Sequence, residues 1–354
     1  MSVRTLERPR VARGVGLAAT ALALVWLCVS AGWAWAVITG VLIKAGIYAV
    51  SAMGLNIHFG FTGLLNFGHV GFMLVGAYTT TLLLPHTLGR ASEPAGSWPL
   101  WAALLAAMAA AAVLGLLLGI PTLRLRGDYL AIATIAIAEI LRFFARSFEF
   151  LGKTFGVLGF SGVLQDSRPD FITDWARAID VPAPRFWLLI TVWLVVLVVL
   201  IGLRWLLGSP WGRVLRAIRE DEDAARALGK NVFWYKLQSL MIGGALGGLA
   251  GGLLAFDLNQ INPLSFQAQE TFFVWTILIL GGAASIAGPI AGSVIFWVVL
   301  TQTDDLAAAI LGDISSATVA GIRFVLVGVL IMLIMIFRPQ GLFGKREELS
   351  LDIQ

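Results

Sequence analysis

Apolar runs long enough to cross a bilayer recur along almost the whole chain. The first, residues 15–38, holds 24 residues, or ~36 Å of helix. Others follow at 40–58, 69–85, 100–120, 129–148, 186–207, 237–256, 271–287, 290–303 and 319–337. In hydrocarbon each segment must satisfy its own backbone hydrogen bonds, so runs of this length read as helices. Only 13% of the 354 residues are charged, against ~25% in soluble domains. The chain therefore reads as an all-α polytopic membrane protein with about ten transmembrane helices. The basic flank of the first run resembles a signal peptide. The apolar core of a signal is only ~7–15 residues, so the run is read as a retained span. The ninth run is short for a span of ~20 residues. It reads as tilted, as broken, or as half of a re-entrant hairpin with the eighth.

Basic residues set the orientation. Segments 1–14, 59–68, 121–128, 204–236, 288–289 and 338–354 alternate on one side and carry 16 of the 25 Lys and Arg. This puts both termini in the cytoplasm. The expected organisation is a cytoplasmic tail (1–14), a single transmembrane domain (15–337) and a second cytoplasmic tail (338–354). The domain carries a large inner loop, 208–236, and an outer loop, 149–185, with room for a short helix near 170–179. The run Gly156, Gly159 and Gly162 lies in that outer loop. It has no Gly-Lys-Ser/Thr ending and no preceding strand, so it is not a phosphate loop. An outer gate, a partner contact and a flexible loop all fit it.

Glycines mark close contacts. Gly243, Gly247 and Gly251 form one column on a helix face, and Gly244, Gly248 and Gly252 another. Two adjacent columns without side chains make a groove into which other backbones fit. Tight bundle packing and a sliding surface are compatible readings. The single cysteine, Cys28, excludes an internal disulfide and a Cys-based metal site, and reads as packing.

The strongest charged run is 209–236. Ser209 and Pro210 form an N-cap followed by a proline at the first helical position. Val214, Leu215 and Ile218 then fall on one face, with Arg213, Arg216 and Arg219 opposite. Glu220, Asp221, Glu222 and Asp223 would interrupt that stripe on a continuous helix. A break near Glu220 moves the acids into the first turn of a second helix, where the macrodipole favours them. Gly229 ends it. Two short helices joined by an acidic corner are expected. By composition alone they suit either an amphipathic loop lying on the leaflet or a docking element for a soluble partner.

Five stretches carry a family resemblance. They are FGFTGLLNFGHVGFMLVGAYTTTLL (59–83), LRLRGDYLAIATIAIAEILR (123–142), GRVLRAIREDEDAARALGKNVFWYKL (212–237), LGGAASIAGPIAG (280–292) and FRPQGLFG (337–344). In this order they resemble the LivM-like permease subunits of branched-chain amino acid ABC transporters, over nearly the whole chain. The resemblance implies a multi-pass protein of the prokaryotic plasma membrane. It implies two ABC ATPase subunits as partners, a second homologous permease and an extracytoplasmic substrate-binding protein. It makes 208–236 the coupling loop, with ATPase-docking residues Gly212, Arg213, Leu215, Arg216, Ala217, Ile218, Arg219, Glu220, Asp221, Ala225, Leu228 and Gly229. ATP and Mg belong to the partner; the chain has no Gly-x-x-x-x-Gly-Lys-Ser/Thr and is not expected to be an enzyme or to hold a cofactor.

Ionisable and irregular segments inside spans are functional candidates by default. Glu139 and Arg142 sit at i and i+3 and are expected to pair. The glycine-rich stretch around His58 and His69 suits irregular backbone lining protein or a wet cavity. Thr62, Gly63, Asn66, Gly68 and His69 are candidates to approach the translocation path; an ordinary inner loop is the plainer reading. No metal site and no nucleic-acid contact are expected. Import of leucine, isoleucine or valine is the function the resemblance implies. The same machinery for urea, short amides or other amino or aromatic acids is a second reading. An ion-coupled secondary transporter is a third, with Glu139 as its one carboxylate, neutralised by Arg142. A membrane enzyme fits least, because no catalytic constellation appears on the spans.

Overall fold

The computed structural model describes residues 34–84, 87–88, 98–125, 127–147, 157–158, 171–178, 180–258, 261–311, scattered positions between 321 and 336, and 341–343. The first expected span up to residue 33, most of the last, the N-terminal tail and all of the C-terminal tail except 341–343 lie outside these residues.

Helix α1 spans Trp35–Asn56 and runs into a π-helical turn, Ile57–Phe61. Helix α2 is His69–Leu83, α3 Leu100–Thr122 and α4 Gly127–Ser147. A short helix, α5, covers Phe171–Ala178, where room for one was expected. Helix α6 is Ala183–Gly208, α7 Pro210–Glu220, α8 Glu222–Ala227 and α9 Val232–Leu258. Helices α10, Ala268–Gly281, and α11, Gly288–Leu311, complete the described elements. Thr87–Leu88 and Val157–Leu158 pair antiparallel, tying the α2–α3 connection to the glycine-rich stretch before α5.

Two boundaries differ from expectation. The break expected at residue 39 is absent: α1 runs unbroken from Trp35, and the Thr39 hydroxyl donates back to the Trp35 carbonyl at 2.8 Å. That bond keeps the polar side chain satisfied inside the helix. The ninth apolar run is short, Gly288–Gln302, and so is the eighth, α10. It has 14 residues, ~21 Å of helix, and stops where Gly282 and Ala284 take positive φ of 101° and 61°. Helix α11 instead continues to Leu311.

Helix α9 is the hub. It packs against α1, α2 and α3, and 83% of its most apolar window is buried, against 33% for α3 and for α6. The two glycine columns explain this. A methyl group at Gly251 would strike the Met73 carbonyl of α2, and one at Gly248 would meet Ala107 and Ala111 of α3. From the other side, a methyl on Gly54 of α1 would press on the Gly243 carbonyl. Backbone-to-backbone approach of this kind is how helices associate where lipid removes most of the hydrophobic drive. Leu105 and Leu117 of α3, Ile132 and Ile140 of α4, and Val198 of α6 face outward, as lipid-contacting residues do. Among the described residues, four helices are long and apolar enough to cross a bilayer: Trp35–Phe61, Leu100–Thr122, Ala183–Gly208 and Val232–Leu258. His69–Leu83 and Gly288–Gln302 are shorter apolar helices. The protein is a polytopic helical membrane protein.

Segments expected on the same side of the membrane share one end of the bundle. The Asn56 amide donates to the Ser285 carbonyl at 2.8 Å, and its oxygen accepts from Ala284 N at 2.9 Å. The 341–343 turn closes the end of α10 through Leu342 N to Leu280 O at 2.9 Å and Phe343 N to Gly281 O at 3.1 Å. Helices α7 and α8 sit at this same end, through Arg219 and Gly60.

Candidate functional site

The charged run forms two helices with a sharp corner. The break falls at Asp221, one residue after Glu220. Asp221 is extended, and its Oδ1 accepts from Asp223 N and Ala224 N, both at 2.9 Å. It is the N-cap of α8. Gly229, at φ 77°, ends α8. Lys230 N reaches the Ala225 carbonyl and Gly229 N the Arg226 carbonyl, the paired bonds of a Schellman ending. Ser209 stands at the start of α7, but its hydroxyl donates backward to Leu206 O at 2.6 Å instead of capping forward.

The element is anchored on four sides. Trp211 Nε1 donates to Gln238 Oε1 of α9 at 2.8 Å. Lys236 of α9 bonds the Glu222 carboxylate, which also holds Arg226 at 2.8 Å. Arg216 donates to the Leu207 carbonyl at 3.1 Å, closing the α6–α7 corner. Gly212 is required at that corner, because any side chain there would run into the Leu207 backbone. Arg219 Nη1 donates to the Gly60 carbonyl at 2.5 Å. Beneath, Leu215 joins the main core, and Ile218, Ala225 and Val232 form a small core of their own.

One expectation is corrected. Of the three arginines expected opposite the apolar stripe, only Arg213 is exposed. Arg216 and Arg219 turn to carbonyls left open where α6 and the π-turn end, and cations at helix C-termini are favoured there. Of the expected docking residues, Gly212, Leu215, Ile218 and Ala225 are buried. Arg213, Ala217, Glu220, Asp221, Leu228 and Gly229 form the open face. Leu228 is 79% exposed.

Thr62, Gly63, Asn66 and Gly68 lie in the loop between the π-turn and α2, and His69 opens α2. The side chains of Thr62 and Asn66 bond within the chain. Thr62 Oγ1 lies 2.7 Å from Ser239 Oγ and 2.8 Å from Ile57 O. Asn66 meets His58 Nδ1 at 3.1 Å, its Oδ1 accepts from Gly68 N at 2.9 Å, and its carbonyl accepts from Trp275 Nε1 at 3.1 Å. Gly63, at φ 77°, sits under Arg219. His69 is fully buried, with both ring nitrogens lacking a hydrogen-bond partner. On α4, Arg142 grips Glu139 Oε2 through Nε at 2.9 Å and Nη2 at 2.5 Å, as the spacing predicts. Among the described residues no group of three or more His, Cys, Asp or Glu is placed to hold a metal.

The opposite end of the bundle carries a feature the sequence reading passed over. An open cavity of about 820 Å³ lies between α1, α6, α9, α10 and α11. Lys44, Arg185, Asp257 and Glu270 line it, with Trp297 and Phe273 among its apolar walls. A signal was available: Lys44 is an unaccompanied cation well inside an apolar span. Its anionic partners come from distant helices, so spacing did not reveal them.

Charged, anchored helices at one end and an open polar cavity at the other, on a lipid-facing bundle, fit a membrane transport subunit. The family described as "Branched-chain amino acid transport system / permease component" matches residues 37–337, and the chain belongs to it. It is 33% identical to the high-affinity branched-chain amino acid transport system permease protein LivM of Escherichia coli K12, over 84% of this chain and 67% of that relative. It is 25% identical to LivH of Salmonella typhimurium, a permease protein of a system of the same name, over 85% and 92%. It is 27% identical to the guanosine ABC transporter permease protein NupQ of Bacillus subtilis, over 62% and 67%. No solved structure matches.

Proposed function

We propose that this chain is the permease subunit of an ATP-binding-cassette importer that moves branched-chain amino acids into the cell by alternating access. The observation that carries the reading is the family match across residues 37–337, reinforced by the anchored α7–α8 element with its open face. The two expected tails flank one permease domain, 15–337, of about ten spans with both termini cytoplasmic. Two ABC ATPases, holding ATP and Mg, dock on 208–236. The open face of that loop supports this, since a rigid two-helix knob tied to α1, α6 and α9 passes a push on to the bundle. A second, homologous permease completes the pathway, as the joint likeness to LivM and LivH suggests. An extracytoplasmic binding protein delivers the solute at the other end, where the outer loop 149–185 lies. The membrane is the plasma membrane of a prokaryote. The segment holding Thr62, Gly63, Asn66, Gly68 and His69 links the docking element to the core, and through it ATPase movement reaches the path.

A second solute class is favoured by one observation, the likeness to NupQ, whose solute is guanosine. The deciding experiment is uptake into vesicles carrying the reconstituted complex and its binding protein. Labelled leucine should accumulate only with internal ATP. Guanosine uptake in its place would select the second reading, and uptake driven by a proton gradient with this chain alone would sink both.

A further inference from the structure

The cavity at the end opposite α7 holds charges of both signs in unusual company. Lys44 projects from α1, Arg185 from the start of α6, Asp257 from the end of α9 and Glu270 from the first turn of α10. Lys44 acts electrostatically on both carboxylates, and Arg185 on Asp257. Yet among the described residues none of the four closes an ion pair. Lys44 rests instead with its Nζ 5.1 Å from the centre of the Trp297 ring, and Glu270 is held by the Tyr48 hydroxyl. Trp297 Nε1 is a buried donor with no partner. Lys44 lies inside an apolar span, where a charge costs several kcal/mol unless paired or hydrated, and the other three stand at helix ends beside it. Two cations and two anions facing one space without touching leave room for something between them.

We propose that this cavity is a station for a small zwitterion, an α-amino acid, whose carboxylate lies toward Lys44 and Arg185 and whose ammonium lies toward Asp257 and Glu270. The argument is one of matching charge. Two Lys/Arg and two Asp/Glu leave the cavity with no net charge, so a net-neutral solute with separated poles enters without unbalancing it. A purely anionic or cationic solute would leave one pair uncompensated. An uncharged solute would leave both idle. The apolar wall of Val41, Phe273 and Trp297 then receives an aliphatic side chain. The volume falls within the ~300–1,000 Å³ of small-molecule sites. Lys44 and Gly60 are 16 positions apart on one nearly continuous helix, ~24 Å, so the station sits far from the docking element. It is the place where solute first meets the bundle.

The inference rests on the importer reading, and the experiment separates the two. The whole complex in lipid nanodiscs is irradiated with a diazirine analogue of leucine, and the adducts are mapped by mass spectrometry. Adducts on 36–44, 257–273 or 297–301 are expected. Excess leucine should suppress them, while isocaproate and isoamylamine, each carrying one pole, should not. In parallel, uptake at saturating loaded binding protein should fall about tenfold or more in Lys44→Met and Glu270→Gln, the loss of about one charged contact. Co-purification of the ATPase with the variants confirms their assembly. Leucine-protected adducts elsewhere, or equal suppression by the one-pole analogues, in a complex that transports leucine would overturn the station and leave the importer standing. If the wild-type complex takes up no amino acid, the importer reading falls and the station with it.

Discussion

Arg219 of α7 donates to the backbone carbonyl of Gly60, 159 residues earlier in the chain, at 2.5 Å. The bond joins the most charged segment of the protein to the end of its most deeply packed N-terminal helix. The Arg219 side chain is only 17% exposed, turned toward the π-turn and away from solvent.

Arg219→Ala should therefore leave the ATPase bound but poorly coupled. ATPase co-purification is expected to stay near wild type, while solute-stimulated ATP hydrolysis falls several-fold. A charge-assisted bond to a carbonyl contributes about 1.5–3 kcal/mol, enough for that change. Loss of co-purification would show that Arg219 is a docking residue after all.

Leu228 has the opposite profile, exposed at the outer corner of α8. Leu228→Asp should release the ATPase without unfolding the bundle. A central apolar contact costs about 2 kcal/mol on truncation, close to thirtyfold in affinity. Titration of labelled ATPase onto nanodiscs reads this directly; unchanged affinity would move the interface elsewhere.

Asp221 sets the corner itself. Asp221→Ala removes both capping bonds and should cost about 1 kcal/mol of local stability. Faster hydrogen exchange confined to 221–229 is the expected signature, while Asp221→Asn should retain most of the protection.

Gly251 and Gly202 form a matched pair of tests on the packing. Gly251→Ala puts a methyl into the Met73 carbonyl and should cost about 1–3 kcal/mol, seen as a lower Tm in detergent. Gly202, on α6, has nothing within 4 Å; Gly202→Ala should be neutral or stabilising by up to about 1 kcal/mol. Equal effects at the two positions would contradict the hub role of α9.

The Glu139–Arg142 pair is half-shielded, with side chains 29% and 14% exposed. Glu139→Gln should lower stability by about 1 kcal/mol and leave solute preference unchanged. A shift in preference with unchanged Tm would place the pair on the path.

Much of this was legible in one dimension. Length and hydropathy along the runs determined that the chain is helical and membrane-spanning, because lipid leaves a backbone no other way to bond itself. Pro210, the acidic quartet and Gly229 determined two short helices with a corner, because caps and turn residues act within a few positions. Spacing alone also paired Glu139 with Arg142. Tertiary structure decided the rest. It turned Arg216 and Arg219 inward, because the open carbonyls they reach, on Leu207 and Gly60, belong to other helix ends. It ended α10 at Gly281, because the chain reverses there against Asn56 and the 341–343 turn. It also assembled Lys44, Arg185, Asp257 and Glu270 around one cavity from four helices; charges so far apart in the chain become neighbours only when α9 draws the bundle together through its glycines.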